Sequence, residues 1–320
     1  MVYNKYIGII GGTGTIGSII VKYLLQLQTH FHVLIGGRRS IKEISMSTFD
    51  NSERLKYNQM NYNNDVELDN FCSQCLLVIN AVGPSFKIND KIALHALRNN
   101  CHYIDIGGYG ILRDLLKPYE KSIEAQKLCF IIGVGWMPGI SGVFSKTIIE
   151  THLNSPENTN FNIYYGAVDN WAYRSPYDLA ASSMGKTRSY VYSHGKEIQV
   201  SPFRYTHHKF FPFIGHKKIC MPSFDEQLTQ LATSLKQIRK ISTFIMLNDY
   251  ISMGKFMFIK IFYKHNLNKA TLMLQDDYQR LVKKENKWGS VICQVSKIEP
   301  ERKIDTFYYL YTKNNLLYTA

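Results

Sequence analysis

The sequence has no apolar run long enough to cross a membrane, no cysteine pattern with metal-ligand spacing, and fewer acids than bases. Its most apolar late stretch, Phe244 to Tyr263, is interrupted by Asp249, Lys255 and Lys260, which argues against a spanning helix. A strand already begins at Tyr6, so no signal peptide is expected ahead of it and a cytoplasmic setting is. The six cysteines (Cys72, Cys75, Cys101, Cys129, Cys220, Cys293) are scattered, most of them in apolar runs, and read as buried thiols in a reducing compartment. Cys72 and Cys75 form one CxxC with no second pair. His207, His208, His216 and Cys220 match no common ligand spacing, so no metal is expected. Internal repeats and low-complexity segments are absent.

What remains is a chain of 320 residues, 45% hydrophobic and 20% charged, long enough for two globular domains. Its 38 basic and 25 acidic residues leave a net charge of +13. That excess favours anionic partners: a phosphorylated cofactor, carboxylate or thioester-linked substrates, an acidic carrier protein, or RNA. The basic residues are spread along the chain instead of forming one arm, so a nucleic-acid partner is not expected.

The apolar run Tyr6 to Ile10 stops at a glycine cluster, Gly11-Gly12-Thr13-Gly14-Thr15-Ile16-Gly17. Ile19, Ile20, Tyr23, Leu24 and Leu27 follow at helical spacing. A GxGxxG pattern (Gly12, Gly14, Gly17) thus lies between a strand and a helix, the context in which it binds a dinucleotide. The first glycine allows a tight turn, the second lets backbone approach the pyrophosphate, and the third lets helix pack on strand. Free N–H groups at the helix start face the phosphates, so Gly12, Thr13, Gly14, Thr15 and Ile16 are candidate cofactor ligands. A second strand, His32 to Ile35, leads to Gly36-Gly37-Arg38-Arg39-Ser40. An NAD site would carry Asp or Glu at this strand's end, for the ribose hydroxyls. Here there are two arginines, whose planar donors suit a 2′-phosphate, so NADP (NADPH) is the expected cofactor.

Leu76 to Val82 reads as a buried strand ending in Asn80-Ala81-Val82-Gly83-Pro84. His102 to Ile106 ends at Gly107-Gly108, and Cys129 to Ile132 ends at Gly133. Helical segments alternate with these strands, which predicts an α/β fold with an N-terminal Rossmann domain, a doubly wound parallel sheet. Ligands of such sheets bind beyond the carboxyl ends of the strands. Asn80, Val82, Gly83, Pro84 and Gly107 therefore join the cofactor candidates, and Trp136, Met137 and Pro138 are placed in the substrate pocket.

These motifs, with Tyr103-Ile104-Asp105-Ile106-Gly107-Gly108 and Met137-Pro138-Gly139, occur in an order that resembles the saccharopine dehydrogenase-like reductases over roughly the first 145 residues. The resemblance implies NADPH-dependent hydride transfer, often to the carbon of an imine, and in some relatives to a conjugated alkene. Two departures stand out. Relatives carry an acidic residue just after the third strand, where this chain has Asn61 and Asn63 before Asp65. Relatives also continue past the hairpin Ser290 to Thr312 with helices that return to the first domain, whereas this sequence stops at Ala320. Apolar surface left by such helices is expected to be covered in a homodimer. Two YxxxK matches, Tyr192/Lys196 and Tyr205/Lys209, lie beyond the Rossmann region. The first surrounds a hairpin turn at Gly195, so the short-chain dehydrogenase pattern is rejected.

With residues 1–145 assigned to cofactor binding, residues 146–320 are expected to form a second α+β domain on an antiparallel sheet. Its strands are Phe161 to Val168, Ser189 to Ser193, Glu197 to Val200, Val291 to Val295 and Thr306 to Tyr311. Ser223 and Glu226 form a capping box for a helix carrying Leu228, Leu231, Ala232, Leu235 and Ile238. Hydride transfer to an iminium needs no nucleophile, only positioning, charge and a proton. Tyr177, Asp178 and Lys186 are candidate catalytic residues by location, as are Asp169, Arg174 and Arg188. Two other readings keep the same cofactor site: a reductase of a carrier-bound intermediate, and an NADPH-sensing regulator without turnover.

Overall fold

The computed structural model describes residues 6–27, 30–40, 42, 53–107, 109–152, 156–169, 174–184, 189–223, 226–263, 265–298 and 302–313. The chain forms two compact units; one takes in the residues up to Gly135, and the other begins at Trp136.

The first unit runs β1 (Tyr6–Ile10), α1 (Thr15–Gln26), β2 (Val33–Gly37), β3 (Leu55–Gln59), α2 (Asp65–Cys72), β4 (Cys75–Asn80), α3 (Ser85–Ile88), α4 (Lys91–Arg98), β5 (His102–Asp105), α5 (Tyr109–Leu116), α6 (Glu120–Ala125) and β6 (Phe130–Ile132). Six parallel strands lie in the order β3-β2-β1-β4-β5-β6, the doubly wound arrangement expected from the alternation of strand and helix. Successive residues of β1 face opposite sides. Ile9 packs with Val33, Ile35, Ile79 and with Ile20 and Val21 of α1. Ile10 packs with Leu34, Val78, Tyr103 and the apolar faces of α2 and α4, led by Leu68, Phe71, Ile92 and Ala96. A sheet covered on both faces buries its strands twice, which is why β2 and β4 read as nearly continuous apolar runs.

The second unit runs α7 (Ile140–His152), β7 (Thr159–Val168), α8 (Arg174–Met184), β8 (Ser189–Ser193), β9 (Lys196–Val200), α9 (Pro202–Tyr205), β10 (His207–Phe211), β11 (His216–Pro222), α10 (Glu226–Ser234), β12 (Lys240–Leu247), α11 (Tyr250–Phe262), α12 (Leu267–Lys284), β13 (Trp288–Ile298) and β14 (Lys303–Thr312). Its sheet has the order β10-β11-β12-β7-β13-β14, with the β8–β9 hairpin against β12. The expected strands are present, but the sheet is mixed: β12 runs parallel to β7 from Lys240/Asn160 to Ile245/Tyr165, and the other pairs are antiparallel. Both are central strands, and β12 is buried along nearly its whole length. One face carries Phe161, Ile163, Tyr165, Val291, Cys293 and Val295 against α7, α11 and α12. On the opposite face Tyr164, Phe244 and Ile292 pack with Phe211 and Trp288.

Several local readings change in this unit. Helix α10 ends at Ser234, although Leu235 and Ile238 still pack against the core. The Ser223 amide, which the expected capping box would engage with Glu226, donates to the Thr243 carbonyl at 2.9 Å, and residues 224 and 225 between the two lie outside the described residues. The apolar stretch from Phe244 is the end of β12 followed by α11. Asp249, which breaks it, is the N-cap of α11 and accepts from the Ser252 amide at 2.9 Å. Across the β8–β9 turn, where His194 and Gly195 have positive φ, Tyr192 pairs with Glu197 and Lys196 with Ser193. His207 and Cys220 pair across the β10–β11 ladder, and the His208 ring bonds the Tyr250 hydroxyl. Among the described residues no cluster of His, Cys, Asp or Glu has the geometry of a metal site, and no helix is long and apolar enough to cross a membrane.

A bidentate ion pair staples α11 to α12: Arg280 donates to the two Asp249 oxygens at 2.6 and 2.9 Å. Burial alone would raise the Asp249 pKa, but the hydrogen bonds from Arg280 and Ser252 outweigh it and hold the carboxyl down to about 2. A carboxylate depressed in the folded state stabilises above its unfolded value of 3.8, and that contribution is lost as pH falls through the folded value. Asp249→Asn should therefore destabilise the second unit by about 1–2 kcal/mol at neutral pH. In melts recorded from pH 7 down to pH 2, the gap between variant and parent should close below about pH 4. A gap independent of pH would exclude this pairing as its source.

Candidate functional site

The glycine-rich segment is turned by backbone contacts. Gly11 takes φ +85° and turns the chain out of β1; its amide donates to the Gly36 carbonyl, and its carbonyl accepts from the Gly14 amide, both at 2.9 Å. The left-handed turn therefore falls at Gly11, one residue before the first motif glycine. At Gly17 a Cβ would stand 2.3 Å from the Gly11 carbonyl oxygen and 2.8 Å from the Gly12 Cα, so the first turn of α1 lies directly on the loop. Gly14 is the N-cap of α1. It supplies no side-chain acceptor, and the first turn carries no acidic residue. The amide dipoles of this helix start are thus open to an anion.

Arg38 and Arg39 are exposed just beyond β2, on a turn pinned from β3. The Tyr57 hydroxyl donates to the Arg39 carbonyl at 2.6 Å, and Gln59 Nε2 donates to the Arg38 carbonyl at 3.4 Å. The Met60 amide donates to the Gly37 carbonyl at 2.8 Å. The two arginines differ. Arg39 Nη2 donates to the Thr13 carbonyl at 3.1 Å and so ties the turn to the glycine loop. Arg38 lines a cavity of about 420 Å³ with Gln59, Met60, Asn61 and Glu67. Sequence position alone put no carboxylate at the end of β3. The fold brings one from the first turn of α2: Glu67 accepts from the Asn61 amide at 2.6 Å and from Asn64 Nδ2 at 2.8 Å.

On the other side of β1, the ends of β4 and β5 are joined through a buried carboxylate that the motif reading passed over. Asp105 accepts from Asn80 Nδ2 and from the Tyr103 hydroxyl, each at 2.7 Å, and from the Gly107 amide at 2.8 Å. Asn80 Oδ1 in turn accepts from the Val82 amide at 3.0 Å. Burial and the neighbouring Asp105 charge push the Tyr103 phenol well above its ordinary pKa, so it remains a donor. The network's trace in the sequence is a Tyr-x-Asp at a strand end with glycine two residues on, Tyr103-Ile104-Asp105-Ile106-Gly107, a pattern that does not by itself name Asn80 as the partner. Gly83 and Pro84, joined by a cis peptide, follow Val82.

Gly12, Thr13, Gly14, Thr15, Ile16, Arg38, Arg39, Asn80, Val82, Gly83, Pro84 and Gly107 therefore all lie at the carboxyl edge of one sheet. The other candidates lie in the second unit. Trp136, Met137 and Pro138 precede α7, and Gln227 of α10 fixes their loop by accepting from the Gly139 amide at 2.9 Å. Trp136 is buried, and among the described residues its indole N–H meets no acceptor. Tyr177 is buried and Asp178 half-buried on α8, which also carries Arg174; Lys186 and Arg188 lie outside the described residues. Asp169 is engaged by Lys287 at 3.1 Å.

Residues 7–129 match the family model of the saccharopine dehydrogenase NADP binding domain. The first unit is a saccharopine dehydrogenase-like NADP-binding domain. The match marks the protein as an NAD(P)-dependent oxidoreductase with NADP as its cofactor. Among solved structures, an apo saccharopine dehydrogenase (L-Glu forming) from Saccharomyces cerevisiae is similar over 98% of this chain and 88% of its own, with TM-score 0.64 and 13% identity. That likeness extends the saccharopine dehydrogenase-like fold to both units. A C. glutamicum DAP dehydrogenase in complex with DAP aligns over 99% of this chain and 85% of its own, with TM-score 0.48 and 10% identity. No curated protein matches the sequence. The saccharopine dehydrogenase-like domain suits NADP on its own geometry: an uncapped helix start for the pyrophosphate, and Arg38 where an NAD site carries an acid.

The tightest constraint on this edge is the contact at Gly17. Gly17→Ala sets a methyl against backbone atoms that cannot rotate away, so the loop must open. A loss of about 1–3 kcal/mol is expected for such overpacking, together with weaker dinucleotide binding. Chemical denaturation and titration with NADPH measure the two effects, and a variant matching the parent in both would show that the loop is not held by this contact.

Proposed function

We propose that the protein is an NADPH-dependent reductase that delivers hydride to a C=N bond, or to a conjugated C=C bond, of a small anionic substrate. The observation that carries the cofactor side is the exposed Arg38 just beyond β2, lining the 420 Å³ cavity at the strand end where an NAD site would carry Asp or Glu for the ribose hydroxyls. The reaction class is supported by the saccharopine dehydrogenase-like domain and by a fold similar to a saccharopine dehydrogenase over nearly the whole chain. The net charge of +13 suits a carboxylate-bearing substrate.

When bound, NADPH supplies the hydride. The chain's residues have positioning work: the glycine loop and α1 start receive the pyrophosphate, Arg38 the 2′-phosphate, and the ends of β4 and β5 the nicotinamide half. Trp136, Met137 and Pro138 are the proposed substrate wall. The buried Trp136 indole, which meets no acceptor among the described residues, offers a donor to a substrate oxygen. Tyr177 and Asp178 are the proposed proton-handling groups.

Calorimetric titration tests the cofactor assignment. NADPH should bind at least tenfold more tightly than NADH, about 1.4 kcal/mol, and Arg38→Ala should remove most of that difference. Equal affinities in the parent protein would refute the 2′-phosphate role.

A cytoplasmic homodimer belongs to the same proposal. On the outer strand β14, Phe307 and Tyr309 are exposed side chains of the kind that subunit contacts cover. Sedimentation should give a dimer at micromolar concentration, and a monomer across that range would remove the contact.

A further inference from the structure

We infer that Asp105 is a positioning residue: its buried carboxylate, through Asn80, Tyr103 and the Gly107 amide, sets the two loops that receive the nicotinamide half of the cofactor. The inference rests on the dinucleotide assignment above. Asp105 is 3% exposed, Asn80 2% and Tyr103 0%. An ionised carboxylate at that depth is strongly unfavourable unless donors surround it. Here they do, and they come from specific places. One Asp105 oxygen takes the amide of Gly107, the second residue beyond β5. The other takes Asn80 Nδ2, which orients the Asn80 carbonyl oxygen toward the amide of Val82, the second residue beyond β4. The Tyr103 hydroxyl donates to that same second oxygen from within β5. Two neighbouring strand ends are thus clamped at equivalent positions by one side chain and its relay.

The two loops flank one half of the sheet edge. In a doubly wound sheet the dinucleotide spans the point where strand order reverses, between β1 and β4 here. The glycine loop, Arg38 and the 420 Å³ cavity lie on the β1-β2-β3 side. Asn80, Val82, Asp105 and Gly107 lie on the β4-β5 side. Loss of the clamp should therefore weaken contacts to one half of the cofactor and spare the other, whereas a residue serving stability alone would not divide the ligand in this way.

The network has a fixed donor–acceptor polarity that can be reversed. Asp105→Asn places an NH₂ group among donors. If it turns toward Asn80, then Asn80 must either confront it or flip its own NH₂ onto the Val82 amide. If it turns toward Gly107, it meets that amide directly. Every arrangement leaves one donor facing another. Adding Asn80→Asp restores complementarity. The carboxylate introduced on β4 accepts both from the Val82 amide and from the NH₂ group introduced on β5. The amide oxygen of that same β5 side chain accepts from Gly107, and the Tyr103 hydroxyl becomes an acceptor.

The test is titration of NADPH and of 2′,5′-ADP, the adenosine half alone, into the full chain and its variants. For Asp105→Asn, NADPH affinity should fall at least tenfold while 2′,5′-ADP stays within threefold of the parent. The double variant N80D/D105N should recover NADPH affinity to within threefold. Tyr103→Phe keeps the ring in the core and removes one donor. It should weaken NADPH by two- to fivefold without touching 2′,5′-ADP, and it decides the question by itself if D105N does not fold. Equal losses for both ligands, unchanged NADPH binding, or a swap no better than the single variant would overturn the inference. A parent protein that binds neither ligand would instead sink the dinucleotide assignment, and the inference with it.

Discussion

The reversal of strand order at β1 is the constraint on which the first unit depends. The chain builds outward from β1 through β2 to β3, then returns to lay β4 on the other flank. The connections leaving β1 and β4 cover different faces of the sheet, so their starts diverge and a crevice opens at the carboxyl edge. Each feature of the site lines or stiffens that crevice. Gly11 turns the chain out of its floor, Gly17 lets α1 descend onto the loop, and Arg39 bridges from the β2 turn back to Thr13. Across the crevice, the Asp105 cluster binds β4 to β5. Covalent continuity does not connect these segments; backbone approach and a few directed hydrogen bonds do.

The second unit solves a different problem, which is burying polar groups inside a large mixed sheet. Lys218 on β11 is 2% exposed, yet its amine donates to Asn248 at 2.6 Å and to Glu285 at 3.2 Å, and lies 4.8 Å from the centre of the Trp288 ring. Burial pulls its pKa down, and the Glu285 charge opposes that pull. On the same sheet Lys209 lies between the rings of Tyr164 and Phe307 and bonds Gln294. Long cationic side chains here act as core material, with stems in apolar surroundings and heads satisfied by an amide, a carboxylate or a ring.

The first unit was legible in the sequence because its signals are local. A strand, a glycine turn and a helix lie within about twenty residues, and two arginines directly follow β2. Legibility failed where contacts join residues far apart in the chain. Glu67 reaching back to Asn61, Asp105 gathering Asn80, and Gln227 holding Gly139 all depend on how loops fold back. The β10–β11 hairpin was missed because His207, His208, Lys217 and Lys218 break the apolar alternation that announces a strand. Lys218 reads as solvated until Glu285 and Trp288 are seen beside it. The parallel pairing of β7 with β12 also leaves no local trace, since a central strand looks alike in either direction.

The distribution of the thiols has a practical side. Five of the six cysteines are buried, and burial pushes Cys220 and Cys293 up to about 12, so their reactive thiolate forms are scarce at neutral pH. Cys129, just ahead of β6, is exposed. A maleimide dye or spin label added to the native protein would therefore mark a single position in the first unit. No cysteine need be removed, so motions of the NADP-binding domain could be followed in the unmodified sequence.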